Sequence, residues 1–255
     1  MVSARTYQGP LPADLPEALR HRAAPRPGDP AYPHLRDLYD ALRDSLSGVT
    51  GVWLDYGAGT SPYRSLLDGA QLRTADLADV ENGYPADYRL DPDGRCPVPD
   101  ATFDGVLSTQ VLEHVPDPRA YLREAYRLAK PGGRLVLTTH GIWEDHGGVD
   151  LWRWTADGLR AEVAAAGFTV DRCWVLTAGE RAALHLLLRR SRETPWSGWG
   201  PAGLLLRAMR RLDRWRPAMF DRYADRYLSH LGRVEANART LYLAVVVCAR
   251  RPATP

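Results

Sequence analysis

Apolar and polar positions follow two different periods along this chain. Leu35, Leu38, Tyr39, Leu42 and Leu46 recur at three- and four-residue spacing, so residues 32–46 read as an amphipathic helix. The next apolar group, Gly51-Val-Trp-Leu-Asp-Tyr56, is short and runs into glycines, as a buried strand does. Ser61 followed by Pro62 is the signature of a helix start. Further strands are predicted over residues 71–77, 87–90 and 103–108. Pro118 opens a helix with Leu122, Ala125, Tyr126 and Ala129 on one face, which Pro131-Gly-Gly133 stops. A fifth strand covers residues 134–139. Thr155 caps a helix with Leu159, Val163 and Ala166 inward and Gly167 at its end, and strands over 169–176 and 241–249 complete the set.

Strands that alternate with helices imply an α/β fold: a seven-stranded, mostly parallel sheet with helices on both faces. Seven of the twenty prolines fall in residues 1–33, which read as a proline-rich N-terminal arm. Residues 34–255 read as one domain with a helical insert over about 178–238, before the last strand.

Composition adds little except in that insert. At 255 residues, 45% hydrophobic and 25% charged, the chain has enough apolar material for a sizeable core. The formal net charge is +2, but residues 181–239 hold thirteen arginines against five acids. Cys96, Cys173 and Cys248 lie far apart and read as small buried hydrophobes. The longest apolar run, 241–249, is about half of what a bilayer span needs, and the first residues lack a secretory pattern, so a cytoplasmic location is expected.

The most informative stretch is Val52-Trp-Leu-Asp-Tyr-Gly-Ala-Gly-Thr-Ser-Pro62, a strand ending in Asp55 and then Gly57-x-Gly59. Glycines there let a backbone approach a ligand closely. A dinucleotide site wants a third glycine where Pro62 stands, which weakens that reading. A tight turn without a ligand remains open on this segment alone. Asp76, about twenty residues on, is placed to accept both hydroxyls of a ribose. Downstream come Val111-Leu-Glu-His-Val115 and Leu128-Ala-Lys-Pro-Gly-Gly133.

With these motifs in this order, the segment from Gly51 to Leu176 resembles the class I methyltransferases that use S-adenosylmethionine, in the small-molecule group. The resemblance implies a Rossmann-like fold and S-adenosylmethionine as cofactor. It implies that Asp55, Gly57 and Gly59 line the methionine end, that Asp76 holds the ribose, and that Asp91 reaches the adenine, with Asp93 a rival. Gln110 would present its backbone to the methionine amino group.

A sulfonium methyl is already activated, so the protein must align the nucleophile and exclude water, with a base where the nucleophile is a hydroxyl. Residues 140–155 follow the fifth strand and hold two histidines and three tryptophans. His140 and His146 are the candidate general bases, against the plainer reading that this segment only packs the domain. Some related enzymes bind a metal through Glu-x-x-Glu-His; here Gln110 replaces the first acid of Gln110-x-x-Glu113-His114, and no metal is expected. The segment Asp150-Leu-Trp-Arg-Trp-Thr155 resembles a subgroup associated with polysaccharide and secondary-metabolite methylation, which implies O-methylation of a sugar-like or natural-product hydroxyl. The insert's apolar and arginine faces read as a lid or homodimer helix, or as an interfacial helix for a lipid-linked acceptor. Nucleic acid is not an expected partner, because the charge outside the insert is acidic. The competing class is a non-catalytic assembly partner on the same fold.

Overall fold

The computed structural model describes residues 17–77, 86–144, 149–193, 200–237 and 239–253. Their strands are β1 (Val52–Tyr56), β2 (Gln71–Asp76), β3 (Tyr88–Arg89), β4 (Phe103–Thr109), β5 (Ala129–His140), β6 (Thr169–Ala178), β7 (Arg233–Glu235) and β8 (Tyr242–Arg250). They form one sheet in the order β3-β2-β1-β4-β5-β8-β6-β7. The pairs from β3 to β5 are parallel, and β8 lies antiparallel between β5 and β6. Strand order reverses between β1 and β4, so a crevice opens there at the carboxyl ends of the strands. The eighth strand, β7, is three residues on the edge and too short to leave a period in the sequence.

Neighbouring strand residues feed opposite faces. Leu54, Val106, Leu135 and Val245 join one core cluster; Trp53, Leu107, Val136 and Val246 join the other. The first face is covered by α3 (Pro118–Leu128) and α4 (Ala156–Ala165), the second by α2 (Tyr32–Ser45). The expected Thr155 cap forms, accepting the amide of Gly158, and α3 is capped by Asp117, which accepts the amides of Arg119 and Ala120.

Three local expectations change. β5 begins at Ala129, so Ala129 and Pro131-Gly-Gly133 belong to the strand rather than to the preceding helix and its stop. A helix, α1 (Glu17–Ala23), sits inside the stretch read as an arm, because no proline falls between Pro16 and Pro25. The helix expected at Ser61-Pro62 is only a 3-10 turn, Arg64–Leu67. Ser61 is left-handed at φ +49, and its hydroxyl donates to Asp55 rather than capping a helix.

The insert folds as α5 (Gly179–Glu193), α6 (Pro201–Trp215) and α7 (Met219–Tyr227). Arg181 of α5 is 2% exposed and binds both carboxylate oxygens of Asp37 on α2 at 2.8 Å. Leu188, Leu206 and Met209 form a small core of their own between α5 and α6.

Candidate active site

β1 delivers the chain into the Gly57-Ala-Gly59 loop. Gly57 has φ +76, and a Cβ there would lie 2.6 Å from Val111 Cγ1, so the loop closes only with glycine. The amides of Gly57 and Ala58 donate to the Ala75 carbonyl, and that of Gly59 donates to Asp76 Oδ2 at 2.7 Å. The glycine loop is thereby fixed to the end of β2. A cleft of about 510 Å³ opens beside it, with Gly57, Gly59, Asp76, Asp93, Gln110 and His114 among its walls. That volume is typical of small-molecule sites. Tyr121 also lines it, stacked on Tyr56 at 4.2 Å and donating to the Tyr56 carbonyl.

The residues expected at the cofactor divide into three groups. Gly57, Gly59, Asp76 and Gln110 meet on the cleft. Asp55 lies buried below it, with its Oδ2 accepting the Ser61 hydroxyl at 2.6 Å. Burial pushes its carboxyl up to about 7, against the opposing Ser61 hydrogen bond. Asp91 turns away: its Oδ1 accepts the amides of Asp93 and Arg95, and Pro92, Asp93 and Gly94 provide the wall.

Gln110 is left-handed at φ +54, with its amide nitrogen donating to the Thr138 carbonyl and its Nε2 to Thr138 Oγ1. Its Oε1 is buried without a hydrogen-bond partner among the described residues, as is Asp55 Oδ1. Two orphaned acceptors close to the glycine loop suit an ammonium donor. An α-amino acid end and a ribose end on one ligand match this wall, so the residues present fit S-adenosylmethionine.

Next to the cleft, the turn 112–114 sends Glu113 inward while His114 stays on the cleft wall. Glu113 is fully buried; its Oε2 accepts the Thr139 hydroxyl at 2.8 Å and its Oε1 lies 3.4 Å from His140 Nε2. The amides of Leu151 and Trp152 donate to the Glu113 carbonyl, and Trp152 Nε1 donates to the Val115 carbonyl. Arg153 binds both oxygens of Asp150 at 2.6 Å and donates to the carbonyls of Trp143 and Glu144. These bonds hold the segment after β5 against the Glu113 turn. The second candidate base, His146, lies outside the described residues.

Trp143 stacks on His140 at 4.9 Å and 9°. His185 of α5 stacks on it at 5.6 Å, His34 of α2 lies at 4.7 Å, and the Arg189 guanidinium stands 5.2 Å over its ring. Burial is the main cause that holds His34 well below its usual range and His185 down at about 3, with nearby charges adding to it. Both imidazoles are therefore neutral at physiological pH. Neither was singled out from the sequence. The signal was there: His34 shares the inward stripe of Leu38, Ala41 and Leu42, where a polar residue needs a reason. Among the described residues, no group of three or more His, Cys, Asp or Glu is arranged to hold a metal ion.

Residues 13–172 match the profile of a family described as a methyltransferase domain. The chain belongs to that family. Its fold is that of the class I methyltransferases that use S-adenosylmethionine. Similar proteins include the ubiquinone biosynthesis O-methyltransferases of Xanthomonas oryzae pv. oryzae strain PXO99A, 33% identical over 112 residues, and of Pseudomonas aeruginosa strain LESB58, 39% identical over 103 residues. These alignments cover 40% of this chain in both cases, and 47% and 39% of the relatives, so the chain matches half or less of their length. Among solved structures, a geranyl diphosphate methyltransferase in complex with S-adenosylmethionine superposes with TM-score 0.52 at 16% identity, covering 91% of this chain and 94% of that one. The [4+2]-cyclase SpnF superposes with TM-score 0.51 at 20% identity, covering 86% and 82%. Both likenesses concern the fold.

Proposed function

We propose that this protein transfers a methyl group from S-adenosylmethionine to a hydroxyl of a small-molecule acceptor, sugar-like or a secondary metabolite. The observation that carries the reading is one turn, residues 112–114, which contributes His114 to the cofactor-type cleft and Glu113 to the buried contact with His140. The curated relatives are O-methyltransferases, which favours oxygen as the methylated atom. A lipid-linked acceptor is the second reading, favoured by the exposed faces of the insert.

In this reading Asp76 holds the ribose, Gln110 Oε1 accepts from the amino group, and the Gly57-Ala-Gly59 loop lets the ligand approach the backbone. When bound, the cofactor supplies an electrophilic methyl. Glu113 orients the His140 ring through Nε2, and the imidazole takes up the acceptor's hydroxyl proton as the oxygen attacks. A buried carboxylate beside the ring also stabilises the imidazolium that forms. Trp143 and the neutral imidazoles of His34 and His185 exclude water from that side.

His140→Ala should lower turnover by roughly 10²–10⁴-fold. Its affinity for S-adenosylmethionine should stay within twofold, and activity should partly recover at high pH, where the acceptor ionises unaided. Near-normal turnover on hydroxyl acceptors would remove the base role. Cofactor binding with no labelled methyl passed to any hydroxylated acceptor would favour the assembly-partner alternative.

A further inference from the structure

The insert presents two faces of different chemistry. The inner face of α6 packs Leu206 and Met209 against Leu188 of α5. Its outer face leaves Leu204, Leu205, Leu212 and Trp215 exposed by 59%, 54%, 42% and 75%. On α7, Tyr223 and Tyr227 are also exposed, with their rings 5.0 Å apart. Isolated exposed leucines are ordinary; four large apolar side chains along one side of a helix mark an interaction surface.

The charge on this surface has one sign. Residues 201–227 contain seven arginines and three acids. All three acids bond to groups elsewhere in the protein. Asp213 binds Arg192 at 2.7 Å. Asp221 is buried and accepts the Gly28 amide, and Asp225 accepts the Tyr32 hydroxyl at 2.6 Å and pairs with Arg181. Arg211, Arg214, Arg216, Arg222 and Arg226 are left on the exposed side.

We propose that the outer faces of α6 and α7 dock this protein onto an anionic lipid bilayer. Leucines and a tryptophan set among arginines are the chemistry of a helix lying in the headgroup region. The 15 residues of α6 reach about 22 Å, too short to cross the ~30 Å hydrocarbon core, and no described helix is long and apolar enough to span. A polyanionic nucleic acid would use the arginines but leave the leucines in water. A second copy would bring like charges face to face. α5 gives His185 and Arg189 to the Trp143 group and Leu188 to α6, so a docked bilayer lies one helix layer from the acceptor side of the site. The inference rests on the surface alone and not on the methylation reading.

The test is co-sedimentation of the full chain with vesicles of phosphatidylglycerol and phosphatidylcholine in equal parts, and of phosphatidylcholine alone. Binding to the anionic vesicles that weakens with salt is expected, with little binding to the neutral ones. The triple variant R211Q/R214Q/R222Q should lower partitioning roughly 10²-fold. The variant L204Q/L212Q/W215Q should lower it about tenfold or more. Both should keep wild-type circular dichroism and cofactor affinity, because the altered side chains are surface groups away from the cleft. Failure to sediment with anionic vesicles overturns the proposal, as does equal binding to neutral ones. A dimer in light scattering that the apolar variant dissolves, without vesicle binding by the monomer, would make the face a self-contact instead.

Discussion

His185 shows how a single side chain reports on the fold. Its unfolded pKa is near ~6.5, and burial takes the folded value to about 3, so between these values the unfolded chain binds the extra proton. Its contribution to stability is complete above pH ~6.5 and is lost as the pH falls toward 3. His34 acts in the same direction, while the raised Asp55 carboxyl works oppositely, because the folded state holds that proton longer. His185→Gln isolates one of these contributions. Urea midpoints for wild type should fall more steeply from pH 7.5 to pH 4.5 than those for His185→Gln. Parallel slopes would mean that the imidazole is already protonated in the folded protein.

The insert is held to the domain by the Asp37–Arg181 pair, with Thr177 donating to the same carboxylate. Removing one partner leaves the other charge buried and unbalanced. Arg181→Ala should therefore cost about 3–5 kcal/mol in denaturant unfolding, while replacement of the exposed Arg211 should leave the midpoint nearly unchanged. Equal effects at both positions would show that the insert docks by apolar packing alone. Elements were legible in the sequence where the apolar period was sustained, as in α2, and where period and helix start agreed, as in α3 and α4. The helix expected at Ser61 failed because the residues that mark a cap were serving Asp55, a tertiary demand that local spacing does not carry. The glycine loop and Asp76 could be read because their chemistry is local to strand ends. His34 and His185 could not, because only the packing of α2 against α5 brings their rings to Trp143. The same holds for Asp91 and Asp93, where an aspartate turn decides which carboxylate faces the cleft.

At the scale of the whole molecule, the sheet places the cofactor-type cleft at the crevice between β1 and β4, and the segment after β5 together with α5 builds the wall beyond it. The basic excess is concentrated around the insert: residues 181–239 hold +8 of a chain whose total is +2. One region thus supplies both the His185 and Arg189 contacts to Trp143 and a positively charged exterior. The fold alone does not decide the reaction, since a cyclase superposes as well as a methyltransferase does. What carries the account is the cleft's identity as an S-adenosylmethionine site, and titration calorimetry tests it directly. Wild type should bind S-adenosylmethionine and its demethylated product, should not bind NAD, and should lose about 1–3 kcal/mol on Asp76→Ala, as removal of charge-assisted ribose hydrogen bonds requires. Tight NAD binding with no response to S-adenosylmethionine, or unchanged affinity in Asp76→Ala, would contradict it.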